Sequence, residues 1–216
     1  RCLVIGNAAT NGGGLFGGSA TYCYFTQNRA FSSQSFNGGG GAWGATLRNS
    51  VVHKNYGDSN GGAIGCNVYN CTVTENQGNG LFFGSVYNTI SWGNTVRDYS
   101  GSIYMNYSCA KFAVGSAGTN NLFVDPQLVD PFHLSANSPC RGAGGPLFVS
   151  GTDWDGDAWG SPVSMGADEF VATAITGPLS VEIELPSTPV YLNRLVPLVG
   201  RINGRAAPPG SSWPSS

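Results

Sequence analysis

The chain has 216 residues, 10% of them charged, with a net charge of −2. A balance so near neutral leaves no electrostatic footprint for nucleic acid or for an anionic membrane surface. Thirty-three glycines beside 41% hydrophobic residues argue against a disordered chain, which lacks apolar content, and against a helical one, which does not tolerate so much glycine.

The chain opens on Arg1-Cys2-Leu3-Val4 without Met or a signal-peptide pattern and closes in Pro-Gly-Ser-Ser-Trp-Pro-Ser-Ser. It reads as an internal stretch of a longer protein. No apolar run approaches the roughly 20 residues of a membrane span. The six cysteines, Cys2, Cys23, Cys66, Cys71, Cys109 and Cys140, form no CxxC pair and are accompanied by two histidines, a set that argues against zinc.

From Gly14 onward the chain repeats. Anchoring on Gly14, Gly41, Gly62 and Gly80, each unit places Cys23, Ser50, Cys71 or Thr89 nine residues on, and Asn28, Asn55, Asn76 or Asn94 five beyond that. The distance from each Asn to the next anchor varies, at 7, 13, 7 and 4 residues counting from Asn7. Fixed walls with one loop free to grow are the signature of stacked coils. Three apolar columns keep the same frame: Phe16, Trp43, Ile64 and Phe82; Ala20, Leu47, Val68 and Val86; Phe25, Val52, Val73 and Ser91. Alternation as in Cys71-Thr72-Val73-Thr74 has the period of a strand. Strands this short bury a face only by stacking on their neighbours, so residues 1–119 are expected to form the coils of an all-β parallel β-helix.

Two asparagine columns suit such coils. Asn tolerates left-handed backbone at turns, and its amide can bond backbone groups or a like Asn one coil away; the columns are Asn28, Asn55, Asn76 and Asn94, and the turn column Asn49, Asn70 and Asn88, from which Tyr22 departs. The anchoring glycines are read as tight corners with positive φ. Cys2, Cys23 and Cys71 share a column with Ser50 and Thr89, so the position asks for a small side chain and favours inert buried thiols. A Cys2–Cys23 disulfide is within reach, though parallel Cβ vectors suit it poorly.

Gly-Gly-Ala-Ile at 61–64 and Phe-Thr-Gln-Asn at 25–28 resemble the GGAI and FxxN motifs of bacterial polymorphic outer-membrane proteins. The resemblance spans about residues 1–94 and implies a right-handed β-helix at the bacterial surface or secreted. Leu-Phe-Val-Asp-Pro, His-Leu-Ser-x-x-Ser-Pro and Met-Gly-Ala-Asp-Glu-Phe, within 120–170, resemble the choice-of-anchor Q segments that close secreted bacterial β-helix proteins. This segment is expected to cap the exposed end of the solenoid. Within it Asp153, Asp155 and Asp157 have the alternate spacing of a calcium loop, but Gly156 comes one place early and Ser164 stands where a bidentate Glu belongs. No other cofactor or metal is expected.

Beyond Phe170, Val181–Leu185 and Val196–Ile202 alternate like edge strands. Residues 171–216 look like the opening of an Ig-like or PKD-like module, incomplete and expected to be poorly packed.

Chemistry is sparse. Up to residue 107 the acids are Asp58, Glu75 and Asp98, sharing no column, and the bases Arg29, Arg48, His53 and Lys54 are scattered. His53, alternating with Val52, is expected to face solvent, and outward Tyr24, Thr72, Thr74 and Trp92 offer rings and hydroxyls for weak carbohydrate contact. The outward column Tyr24, Val51, Thr72, Ile90 is too irregular for ice binding. The expected function is a monomeric, non-catalytic secreted or cell-surface β-helix, adhesin-like or contacting extracellular polysaccharide or a host glycan. The alternative is the C-terminal part of a polysaccharide lyase or glycoside hydrolase whose catalytic coils lie before Arg1.

Overall fold

A computed structural model describes residues 1–32, 38–111 and 118–171, together with the backbone of three later strands. The described residues contain strands and turns and no helix, hence none long and apolar enough to cross a membrane. Residues 1–172 form one compact unit and 173–216 a second. In the second, Val181–Glu184, Val199–Ile202 and Arg205–Ala206 pair as an antiparallel three-stranded sheet. The remaining residues of the expected terminal module lie outside those described.

The first unit is a parallel β-solenoid of about five turns. Sheet A stacks Cys2–Ile5, Cys23–Thr26, Val51–His53, Thr72–Thr74, Ile90–Trp92 and Cys109–Ala110. Sheet B stacks Ala8–Ala9, Arg29–Ala30 and Tyr56–Gly57, and sheet C runs from Leu15–Phe16 through Ala63–Tyr69 to Tyr99–Asn106. The register matches the repeat column for column. Ala20, Leu47, Val68 and Val86 are successive partners, as are Phe25, Val52, Val73 and Ser91. Both columns point inward, and from Phe25, Leu47 and Val86 on they make the dry core.

Phe16, Trp43, Ile64 and Phe82 are also in register, but they lie on the outer side of sheet C. Phe16 is 63% exposed and its ring stacks on Trp43 at 4.8 Å and 8°. The residues before them, Leu15, Ala42, Ala63 and Leu81, face the core. The anchoring glycines need a different explanation from the one expected. Gly62 has no positive φ; a Cβ there would lie 1.9 Å from the Gly80 carbonyl oxygen, so the neighbouring coil leaves no room for a side chain. Left-handed backbone occurs instead at Gly65, with φ +59, in the outward bend of sheet C.

The interior asparagines form a continuous ladder. Nδ2 of Asn7, Asn28, Asn55 and Asn76 donates to Oδ1 of Asn28, Asn55, Asn76 and Asn94 at 3.0, 2.9, 3.0 and 2.9 Å. Each backbone N–H donates to the same oxygen, and the second Nδ2 hydrogen reaches a strand carbonyl such as Phe25 O or Val52 O. A column whose amides all donate in one direction must end on a group that only accepts. Asp98, read from sequence as belonging to no column, is that group: its Oδ1 accepts the N–H and Nδ2 of Asn94, both at 3.1 Å, and its Oδ2 accepts Lys111 N–H. The ladder asparagines are not themselves left-handed. The preceding positions are, at Gln27, Lys54 and Glu75 with φ 56, 52 and 53, and Lys54 Nζ pairs with Glu75 Oε2 at 3.4 Å across two coils.

The cysteine column asks for more than small size. Cys23, Ser50, Cys71, Thr89 and Ser108 each donate a thiol or hydroxyl hydrogen to the carbonyl two residues earlier, for Cys71 to Tyr69 O at 3.1 Å. All six cysteines are free, Cys2 and Cys23 being direct partners in sheet A without a bridge. Burial pushes the Cys71 thiol up to about 12, which keeps it unreactive. Cys71→Ser retains the donor and should fold, with about 1 kcal/mol lost through reduced apolar burial. A thermal melt reads this as a Tm lower by about 2–4 °C; loss of folding would refute it.

The segment expected to cap the solenoid end does so only briefly. Residues 119–122 add a last partial rung, with Leu122 N–H donating to Ser108 O and Ala110 N–H to Leu122 O. The chain then turns back and lies along the flank as a strap. Its stretch 145–152 descends the turn column coil by coil. Asn88 Nδ2 donates to Gly145 O at 2.8 Å, Asn70 to Phe148 O at 2.9 Å, Asn49 to Thr152 O at 2.8 Å, and Tyr22 Oη to Thr152 O at 3.0 Å. Those four residues all have φ between 44 and 56, as expected for Asn49, Asn70 and Asn88, and Tyr22 keeps both the conformation and the strap contact.

The reason for the strap is the outward column of sheet A. Val51 and Ile90 are apolar there and would face water without cover; both are 0% exposed. Leu134, Cys140 and Met165 of the strap pack on Ile90 and Cys109, and Phe132 lies 4.7 Å from the Tyr24 ring.

Candidate functional site

Where the strap crosses sheet C it walls a groove of about 550 Å³. The strands place Thr21, Arg48, Tyr69, Tyr87 and Asn106 in one outward column. Ser85 and Tyr104 stand two residues before Tyr87 and Asn106 on the same face, as the period of two requires. Pro146, Leu147 and Phe148 close the other side. Phe148 lies 4.5 Å from the Tyr69 ring and 5.3 Å from Tyr87, and Tyr87 lies 5.3 Å from Tyr107. Tyr104 is 59% exposed at the mouth. Ser85, Asn106 and Thr119 supply hydroxyl and amide groups, and the lining contains no carboxylate, imidazole or amine.

Two polar groups in or beside this groove are held in place without a hydrogen bond. The Tyr87 hydroxyl is buried and makes none, although Leu147 N–H approaches closely enough to oppose the rise in pKa that burial causes. The Arg48 guanidinium, at the edge, lies over the Tyr69 ring at 4.4 Å and 5.9 Å from the Phe148 ring. Such a cation–π contact is favourable by about 0.5–2 kcal/mol.

The residues read from sequence as carbohydrate contacts lie elsewhere. Thr72 and Thr74 are buried, Thr72 accepting Ala167 N–H of the strap. His53, expected in solvent, is 5% exposed, with Nδ1 3.2 Å from Thr74 Oγ1; burial holds its pKa below the ordinary value. Tyr24 packs on Phe132, and Trp92 lines a separate cavity of about 330 Å³ with Glu75, Asp125 and Asp130. The strap accounts for these differences, since sequence periodicity distinguishes inside from outside but cannot show that an outside face is covered. The groove residues Tyr69, Tyr87, Tyr104, Tyr107 and Phe148 were missed. A signal was present: Thr21, Arg48, Tyr69 and Tyr87 all stand seven residues past an anchor.

Of the acidic run in the strap, Asp153 is committed to backbone. Asp153 Oδ1 accepts the N–H groups of Asp155, Gly156 and Asp157 at 2.9, 2.9 and 2.7 Å, and Oδ2 accepts Glu169 N–H. Asp155 turns to His133 instead, its Oδ2 lying 3.0 Å from Nε2. His133 Nδ1 is 2.7 Å from Asp130 Oδ2, so both ring nitrogens meet carboxylates. Burial would lower the imidazolium pKa, but the hydrogen bonds and charges of Asp130 and Asp155 outweigh it and raise it to about 10. Burial lifts Asp168 to about 7, against the pull of the Leu134 N–H it accepts. His133, Asp155 and Asp168 lie within 4.8 Å of one another and are the convergent His/Cys/Asp/Glu group among the described residues. With both ring nitrogens on carboxylates, His133 ties Asp130 to Asp155 as a structural latch.

Fold and groove together define a strapped parallel β-solenoid with an aromatic groove on one flank. No protein-family model, curated protein or solved structure matches the chain.

Proposed function

We propose that this chain is a non-catalytic, exported β-solenoid that contacts polysaccharide through the aromatic groove, as an adhesin-like or glycan-contacting surface module. The observation that carries this reading is the set of four tyrosines and Phe148 along one open groove, with amide and hydroxyl groups between them. Sugar rings offer C–H faces to aromatic rings and hydroxyl edges to polar groups, and tyrosine serves both at low entropic cost. A lining without carboxylate, imidazole or amine supplies no general acid or base, which favours binding over cleavage. Export is supported by the GGAI and FxxN motifs and by the likeness of 120–170 to choice-of-anchor Q segments.

Affinity electrophoresis against a panel of neutral and acidic polysaccharides tests the reading. At least one polymer should retard the protein without release of reducing ends. Tyr104→Ala, at a position exposed enough to leave folding intact, should weaken that retention by about tenfold, or 1.4 kcal/mol. Failure of every polymer to retard the protein, or retention unchanged in Tyr104→Ala, would remove the groove from consideration.

A further inference from the structure

Arg48 is a charged group at the edge of the groove, behind two residues of its lining. Its column partner Tyr69 and the strap residue Phe148 both line the groove, and both carry its guanidinium against their rings. Its backbone is fully occupied: Arg48 O accepts Ser50 Oγ at 2.6 Å and Tyr22 N–H at 3.1 Å. The ion pairs among the described residues are Lys54–Glu75 and those of His133 with Asp130 and Asp155, and none involves Arg48. Arg48 as a residue is intermediate in exposure, and its guanidinium has no hydrogen-bond acceptor among the described residues.

A guanidinium carries its five N–H donors in its own plane. Contact with a ring engages its charge and none of its N–H groups, which remain able to meet a carboxylate with two parallel hydrogen bonds. The groove beside it has no acidic lining residue to repel an anion.

We infer that the groove selects saccharides bearing a carboxylate, with Arg48 gripping the uronate and the neighbouring rings holding the pyranose face. This specificity rests on the glycan-contact reading above and goes beyond it in naming the sugar class.

The test compares polygalacturonate with the same polymer fully methyl-esterified, which differs in charge and not in backbone, using the full 216-residue chain. Wild type should bind the acid form at least tenfold more tightly than the ester, and added salt should reduce the difference. Arg48→Gln should remove the preference, bringing the ratio of affinities for the acid and the ester to about one. Arg48→Lys, which keeps charge but loses the planar fork, should restore it only in part. Equal affinity of wild type for the two polymers, or an undiminished preference in Arg48→Gln, overturns the inference and leaves glycan contact standing. Binding of neither polymer, together with an empty panel above, overturns both. The wild-type comparison needs no variant, so a folding defect at position 48 would not obscure the result.

Discussion

Asn55→Ala should destabilise the solenoid by about 4 kcal/mol or more, the largest effect expected of a single substitution here. Asn55 is fully buried, and its Oδ1 accepts both the N–H and the Nδ2 of Asn28, at 3.0 and 2.9 Å. Its own Nδ2 donates to Phe25 O at 3.0 Å and to Asn76 Oδ1 at 3.0 Å. Alanine leaves two donors of Asn28 without their partner in the buried interior, removes the Asn55 amide bond to Phe25 O and opens a cavity, and each orphaned donor costs about 1–3 kcal/mol. Asn76 Oδ1 keeps its bond from Asn55 N–H, which limits the damage on that side. Aspartate cannot rescue the position, because it retains the acceptor but loses both donors and adds a buried charge. Denaturant unfolding followed by intrinsic fluorescence measures the difference, and a loss under 1 kcal/mol would show that the ladder relaxes around the gap. Asn49→Ala is the contrast: it removes strap bonds to Ser150 O and Thr152 O and should cost markedly less.

Raising the pH from 6.5 to 10 should loosen the strap through His133. Its pKa is lifted from the ordinary 6.5 to about 10. The stability it contributes is therefore fully present below about pH 6.5 and is lost as pH rises through about 10. At 1.36 kcal/mol per unit this bounds the loss at about 5 kcal/mol. Asp168, raised by burial from 3.8 to about 7, loses its contribution over the lower window between those values and is spent before His133 titrates. Asp130 has the opposite sign. Burial would raise it, but His133 and the N–H groups of Phe132 and His133 hold it below the usual carboxylate range. Its contribution is present above about pH 4 and is lost on acidification. Tyrosines, lysines and thiols also titrate near pH 10, so the informative quantity is the difference from His133→Gln. Wild type should lose several kcal/mol more than the variant between pH 6.5 and 10, read from thermal melts with strap opening followed by proteolysis. Parallel pH profiles for the two proteins would refute the latch.

The repeat and its register were determined by the sequence alone. Constant spacing from Gly62 to Cys71 to Asn76 and its echoes in the other coils sets which residues stack, because an insertion within a wall shifts the register, as it does where Tyr99–Asn106 pairs with Leu81–Tyr87. The interior asparagine column was legible for the same reason, since a buried amide at one position in every coil has its like neighbour as a ready partner. Only the tertiary structure decided what happens outside that cylinder. Whether Thr72 and His53 meet water depends on a segment some eighty to a hundred residues later that folds back across sheet A, and no local period encodes such a return. The same strap brings Phe148 against Tyr69 and Tyr87 and holds Arg48 beside the groove. Strand periodicity fixes each side chain's direction relative to its own sheet, whereas a site made by two segments meeting depends on long-range packing that the period does not contain.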